Sequence, residues 1–180
     1  INREARRHRL LLKSEKLDSF DKELLTQLLS RNMEEDTITS SLQELTEVLE
    51  AHFSKKVVVL IDEYDVPLAK AYENGYYNEM VLLIRNLFGN VLKTNDSLAF
   101  AVLTGCLRIA KESIFTGTNN FVSDSVADSR LTEYFGFVQS EVDEILKDAD
   151  IFNQSENIRK WYDGYHFGDV DVYCPWDVMN

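Results

Sequence analysis

Residues Lys55–Leu68 read KKVVVLIDEYDVPL, two lysines leading into an aliphatic run that ends in an acidic cluster closed by a proline. Val57, Val58, Val59, Leu60 and Ile61 are mostly β-branched and show no polar alternation. The run is too short for a buried helix, so it predicts a strand buried on both faces, as in a parallel sheet flanked by helices. Asp62 and Glu63 then fall at the carboxyl end of that strand, the edge at which open α/β sheets place their ligands. An aspartate there can hold Mg²⁺ through water, and a glutamate beside it can orient or deprotonate an attacking water. The plainer reading is that the two carboxylates open a loop or cap a helix. Pro67 suits the first turn of a following helix, with Asp65 as its cap.

LIDEYDVPL at Leu60–Leu68 resembles the Walker B region of the bacterial AAA-ATPase-like proteins, which often carry a restriction-endonuclease-like domain at their C-terminal end. Three further segments match that family in order: LTGCLRIAKESIFTGTNN from Leu103 to Asn120, YFGFVQSEVDEIL from Tyr134 to Leu146, and WYDGYHFG with VYCPWDV between Trp161 and Val178. The resemblance implies an α/β fold, a partial P-loop NTPase-like parallel sheet flanked by helices with a small helical lid. It implies ATP and Mg²⁺ as cofactors, with Asp62 holding the metal through water and Glu63 activating water. The strand after the Walker B strand ends, in such proteins, in a polar residue that senses the γ-phosphate. Thr104 occupies that place, and Arg108 is the alternative group to meet phosphate charge. Family members open with a glycine-rich phosphate loop, whereas this sequence contains no GxxxxGK[ST]. Beginning at Ile1 and stopping at Asn180 just after the last motif, it reads as a fragment, an incomplete core over residues 1–133 and a lid-like segment over 134–180. Alone it is expected to be catalytically silent, since the amides and lysine that cradle phosphates are missing.

Composition narrows the function classes. A chain of 180 residues, 44% hydrophobic, suffices for one well-buried core and a small appended subdomain. A net charge of -12 argues against general binding to nucleic acid or anionic membranes. The first turns run against that trend, with Arg3, Arg6, Arg7, Arg9, Lys13 and Lys16 facing only Glu4 and Glu15, most simply a solvated face. Cys106 and Cys174 have neither CxxC spacing nor a disulfide pattern, which suits a reduced, cytoplasmic setting. No apolar run approaches the length of a membrane span.

In chain order, helices are expected over Asn2–Ser14, over Phe20–Ser30 with Asp18 or Ser19 as cap, and from Ser40 or Ser41 to Phe53, behind a polar loop at 32–37. Pro67–Glu73 and Tyr76–Lys93 should be helices separated by an Asn74-Gly75 turn, and Leu98–Leu103 a second buried strand. Ser113–Asn120 reads as a turn-rich loop. A short helix is expected from Ser123, and another after Ser140, whose spacing to Asp143 resembles a capping box. The aromatic tail suggests a helix ending near Trp161, a turn at Asp163-Gly164, a brief extended pair and a helix started by Pro175. His166 with Asp163 could form a catalytic pair, though a histidine among aromatics is more often structural.

Two alternatives stand beside the ATPase reading. One is a non-catalytic, ATPase-shaped regulatory or interaction module. The other is a metal nuclease built on Asp62, Glu63 and Asp65, for which Lys70 comes late and on a helix. An incomplete sheet would also favour self-association.

Overall fold

The computed structural model describes residues 1–106, 114–115, 122–125, 128, 130–162 and 164–179. Two compact units divide the chain, Ile1–Asn119 and Asn120–Asn180.

The first unit begins with α1 (Asn2–Arg7), a 3-10 turn at Arg9–Lys13, α2 (Ser19–Leu28) and α3 (Glu35–Phe53). The expected first helix is thus broken at His8. Asp18 caps α2 as expected, its carboxylate accepting the Asp21 N–H at 2.8 Å while Asp21 accepts the Asp18 N–H at 3.2 Å. Ala5, Leu17, Leu25, Leu28, Leu45 and Val48 form the core that these elements share. The loop expected at 32–37 is shorter than read, because α3 starts at Glu35 rather than at Ser40. Glu35 and Asp36 place negative charge in its first turn, which the helix dipole favours. Ser40 and Ser41 therefore lie inside the helix, their hydroxyls donating back to Asp36 O at 3.0 Å and Ile38 O at 2.6 Å.

Ser54 ends α3 in the left-handed region (φ 55°) and the chain turns into β1 (Val57–Ile61). Lys56 pins this corner with an ion pair to Glu50 at 2.8 Å and a hydrogen bond to Asp96 O. The crossover runs through α4 (Val66–Glu73) and α5 (Tyr77–Lys93), joined at Asn74-Gly75 with Gly75 at φ +80°. It delivers β2 (Leu98–Leu103) parallel to β1, with Val59 opposite Ala101 and Ile61 opposite Leu103. A parallel pair requires such a long connection.

The strand positions agree with the sequence reading, but their burial does not. Val59 is 7% exposed, whereas Val58, Leu60, Phe100 and Val102 are 44%, 73%, 56% and 46% exposed. The register explains the split: Val58 pairs with Phe100 and Leu60 with Val102, so all four share one face. Helices pack on the other face, and among the described residues none covers this one. The result is a mixed helix and strand architecture with a two-stranded parallel sheet, compatible with the α/β class.

The second unit holds α6 (Gln139–Asp148), α7 (Ser155–Tyr162), the antiparallel pair β3 (Tyr165–Phe167) and β4 (Val170–Val172), and α8 (Pro175–Met179). Val142, Leu146 and Tyr173 make its core, with Phe137, Ile158 and Val178 packed around them. Phe137 and Tyr173 exchange backbone hydrogen bonds at 3.1 and 2.8 Å. The cap of α6 differs from the expected Ser140–Asp143 box: the helix begins two residues earlier, and Glu141 accepts the Val138 N–H at 3.0 Å. Asp143 instead accepts from Gln139 Nε2 at 2.8 Å and from the Ser155 hydroxyl at 2.7 Å. These two bonds, the Ser155 bond first, hold its pKa below the ordinary carboxylate value. Val122–Ser125 are not helical, so the short helix expected from Ser123 does not start there.

Candidate functional site

Parallel pairing sets the carboxyl ends of β1 and β2 side by side, so the residues that leave them meet. Ile61 opposite Leu103 places Asp62 next to Thr104. Two backbone bonds fix the junction, from Thr104 N–H to Ile61 O at 2.9 Å and from Tyr64 N–H to Thr104 O at 3.0 Å. Within it the Thr104 hydroxyl donates to Asp62 Oδ1, and the Glu63 N–H donates to the same oxygen at 2.9 Å. Both expected site residues, separated by 42 positions in the chain, are in direct contact.

Glu63 is set apart by its backbone. Its φ is +53°, the left-handed region that costs a non-glycine residue about 1–2 kcal/mol. The chain turns there from β1 toward α4, with the Val66 N–H returning to Glu63 O at 3.1 Å. The side chains of Asp62 and Glu63 are exposed, while Asp65 is buried at the start of α4 and its carbonyl accepts the Leu68 and Ala69 N–H groups at 3.0 Å. Three carboxylates thus follow β1 without converging. Among the described residues no group of three or more His, Cys, Asp or Glu side chains could hold a metal ion. Lys70, late for the nuclease alternative, lies on α4 as expected.

Two neighbours escaped the sequence reading. Tyr64 turns its ring inward against Phe88 and Phe115, centroids 6.5 and 5.7 Å away. Burial first, and then the adjacent Asp65 charge, push its hydroxyl pKa above the ordinary tyrosine value. Gly105 allows this close packing, since a Cβ there would fall 2.7 Å from Asp65 Oδ1 and 2.9 Å from a Tyr64 ring carbon. The Thr104-Gly105 pair was the only signal in the sequence. Arg108 lies outside the described residues.

The tail residues raised by the sequence are accounted for locally. His166 Nδ1 lies 2.7 Å from Asp171 Oδ1 across the β3–β4 pair, with both side chains largely exposed. Asp163, the partner first considered for it, lies outside the described residues. His52 is engaged by Ser14, Nδ1 to Oγ 2.8 Å. Cys106 and Cys174 are free thiols.

Residues 5–115 match the family AAA-ATPase_like, described as "Predicted AAA-ATPase". The chain is also 32% identical over 137 residues to an uncharacterized protein in vnfD 5'region of Azotobacter chroococcum mcd 1, covering 76% of this chain and 26% of that protein. The chain therefore spans about a quarter of the length of that curated relative. No solved structure matches it. Among the described residues, no helix is long and apolar enough to cross a membrane.

Proposed function

This chain belongs to the AAA-ATPase-like family, and from that premise we propose that the Asp62–Thr104 junction is the water-activating edge of an ATP-hydrolysing site on a P-loop-like sheet. The observation that carries the reading is the meeting of Asp62, Glu63 and Thr104 at the carboxyl ends of adjacent parallel strands.

The donor chemistry fits Mg²⁺. Asp62 offers a hard, solvent-facing carboxylate with about four acceptor positions, two of which are used by Glu63 N–H and the Thr104 hydroxyl. Mg²⁺ keeps most of its water and takes one or two carboxylates, which suits a lone aspartate better than a protein cage. When bound, it would offset charge on the phosphoryl oxygens. Asp62 would hold it through water. Glu63, turned out of the strand line by its left-handed backbone, would orient the attacking water and accept its proton. Thr104 holds Asp62 in place, and redirecting its hydroxyl to a γ-phosphate would release that bond, linking nucleotide state to the position of Asp62. Arg108, four residues farther along, is the alternative group for the phosphate charge. The phosphate-cradling segment is not among these 180 residues, so turnover is assigned to a longer protein and not to this chain alone.

The test is Mg-ATP hydrolysis by the natural full-length protein and its Glu63→Gln variant. Loss of a general base should slow turnover by about 10²–10⁴-fold while nucleotide still binds. Equal rates would remove Glu63 from the chemistry. The second reading is a non-catalytic module that keeps the ATPase shape. Failure of the folded full-length protein to bind nucleotide would leave that reading in place.

A further inference from the structure

Both flanks of Glu63 are fixed by contacts of other residues. Upstream, β1 ends against β2 through the Thr104 N–H, which donates to Ile61 O at 2.9 Å. Downstream, the Tyr64 N–H donates to Thr104 O at 3.0 Å, so backbone on each side of Glu63 is tied to the same threonine. The Tyr64 ring adds a second anchor. It packs edge-on against Phe88 of α5 and against Phe115, at interplanar angles of 66° and 67°. Those two rings are themselves buried and stacked, with centroids 6.0 Å apart. Gly105 lets the chain leaving β2 approach the same ring, since a Cβ there would fall 2.9 and 3.0 Å from two of its carbons. Glu63 joins the two fixed flanks at φ +53°. A glutamate stays in that conformation only where its surroundings over-determine it.

We infer that Tyr64 is a positioning residue for Glu63: its ring, packed against Phe88, Phe115 and Gly105, holds the left-handed turn that carries the Glu63 carboxylate out of the strand line. The ring faces these buried partners, whereas Asp62 and Glu63 are exposed. Tyr64 therefore acts through the backbone of its neighbour and not by touching the reacting groups. The anchor is assembled from the crossover helix, the exit of β2 and the segment at Phe115, so the acidic turn is set by packing well beyond its own residues. The effect on turnover rests on the ATPase reading, whereas the effect on the Glu63 backbone does not.

Backbone couplings and chemical shifts of the ¹⁵N,¹³C-labelled 180-residue chain report the φ of Glu63. In Tyr64→Leu, which keeps an apolar side chain but no ring, Glu63 should leave the left-handed region, and in Tyr64→Phe it should stay there. Phe88→Leu leaves the sequence of the turn intact, should move the Glu63 signals in the same direction, and decides the matter if Tyr64→Leu does not fold. A Glu63 that keeps its conformation in these leucine variants, or is displaced as far by Tyr64→Phe as by Tyr64→Leu, would overturn the inference. Turnover is measured in the natural full-length protein. Tyr64→Leu should lower kcat for Mg-ATP hydrolysis by about 10²-fold, the effect of misplacing a catalytic group by about 1 Å, with KM nearly unchanged. In a Glu63→Gln background the same substitution should add little, because a residue that acts through Glu63 then has no base to position. A native kcat in Tyr64→Leu, or an equal fold-loss in both backgrounds, would overturn the positioning role in catalysis. A native protein that does not hydrolyse ATP would remove the ATPase reading, and the Glu63 backbone measurement would then decide the inference by itself.

Discussion

The two strand pairs of this chain each hold an acidic side chain against a partner, but they reach that contact by opposite routes. Asp62 and Thr104 are 42 residues apart and meet because β1 and β2 run parallel, joined by a crossover through α4 and α5. His166 and Asp171 are five residues apart and meet because β3 and β4 turn back at Gly168-Asp169. The first contact depends on the packing of the crossover and lies at the carboxyl edge of its strands, where open α/β sheets as a class place their ligands. The second is largely exposed and follows from its hairpin, so it needs no function to explain it. A contact assembled from distant residues, beside a strained backbone, is the better pointer to chemistry.

That contrast can be broken experimentally, most forcefully through the crossover. Leu68 in α4 is fully buried while Leu60 projects from the open face of the sheet. Leu68→Ala should cost about 2–5 kcal/mol and Leu60→Ala about 0.5 kcal/mol or less, read by denaturant unfolding. Equal costs would mean that the sheet is not supported from one side only. Gly105→Ala comes next. The added methyl would press on Asp65 Oδ1 at 2.7 Å, an overpacking cost of about 1–3 kcal/mol, and unchanged stability would show that the junction has slack.

A smaller effect compares the two contacts directly. Thr104→Val removes the hydroxyl that bonds Asp62 and should cost about 0.5–1.5 kcal/mol, while His166→Ala should cost at most about 1 kcal/mol. A larger loss from His166 would reverse the ranking of the two strand pairs. The least effect concerns pH in the second unit. The folded pKa of Asp143 is lowered by the Ser155 and Gln139 hydrogen bonds. Its stabilising contribution is therefore present above the ordinary carboxylate pKa and is lost as pH falls through the lowered one. Acid titration followed by unfolding should show that loss in the native chain and a weaker one in Ser155→Ala. Identical acid profiles would remove Asp143 as its source.

The physical reasons for what the sequence did and did not disclose are local. Strands β1 and β2 were legible because aliphatic runs bounded by charge or turn residues carry their own signal, as did the Asp18 cap and the Asn74-Gly75 turn. The open face was not, because an all-aliphatic strand looks the same whether one side or both are covered. The start of α3 was missed because Glu34 provides no side-chain cap and dipole-favoured acids begin the helix instead. At the candidate site, Asp62, Glu63 and Thr104 could be named from residue type and order of elements. The shared hydrogen bond, the left-handed Glu63 and the close approach at Gly105 depend on register and turn geometry that no local pattern encodes.

The central claim is that Asp62 and Thr104 act as one unit in nucleotide turnover. A double-mutant cycle on Mg-ATP hydrolysis in the natural full-length protein, with Asp62→Asn, Thr104→Val and the pair, measures that directly. The account predicts non-additivity, the double variant losing little more than the more damaged single variant. Losses that multiply, or single variants that turn over ATP at the native rate, would contradict it.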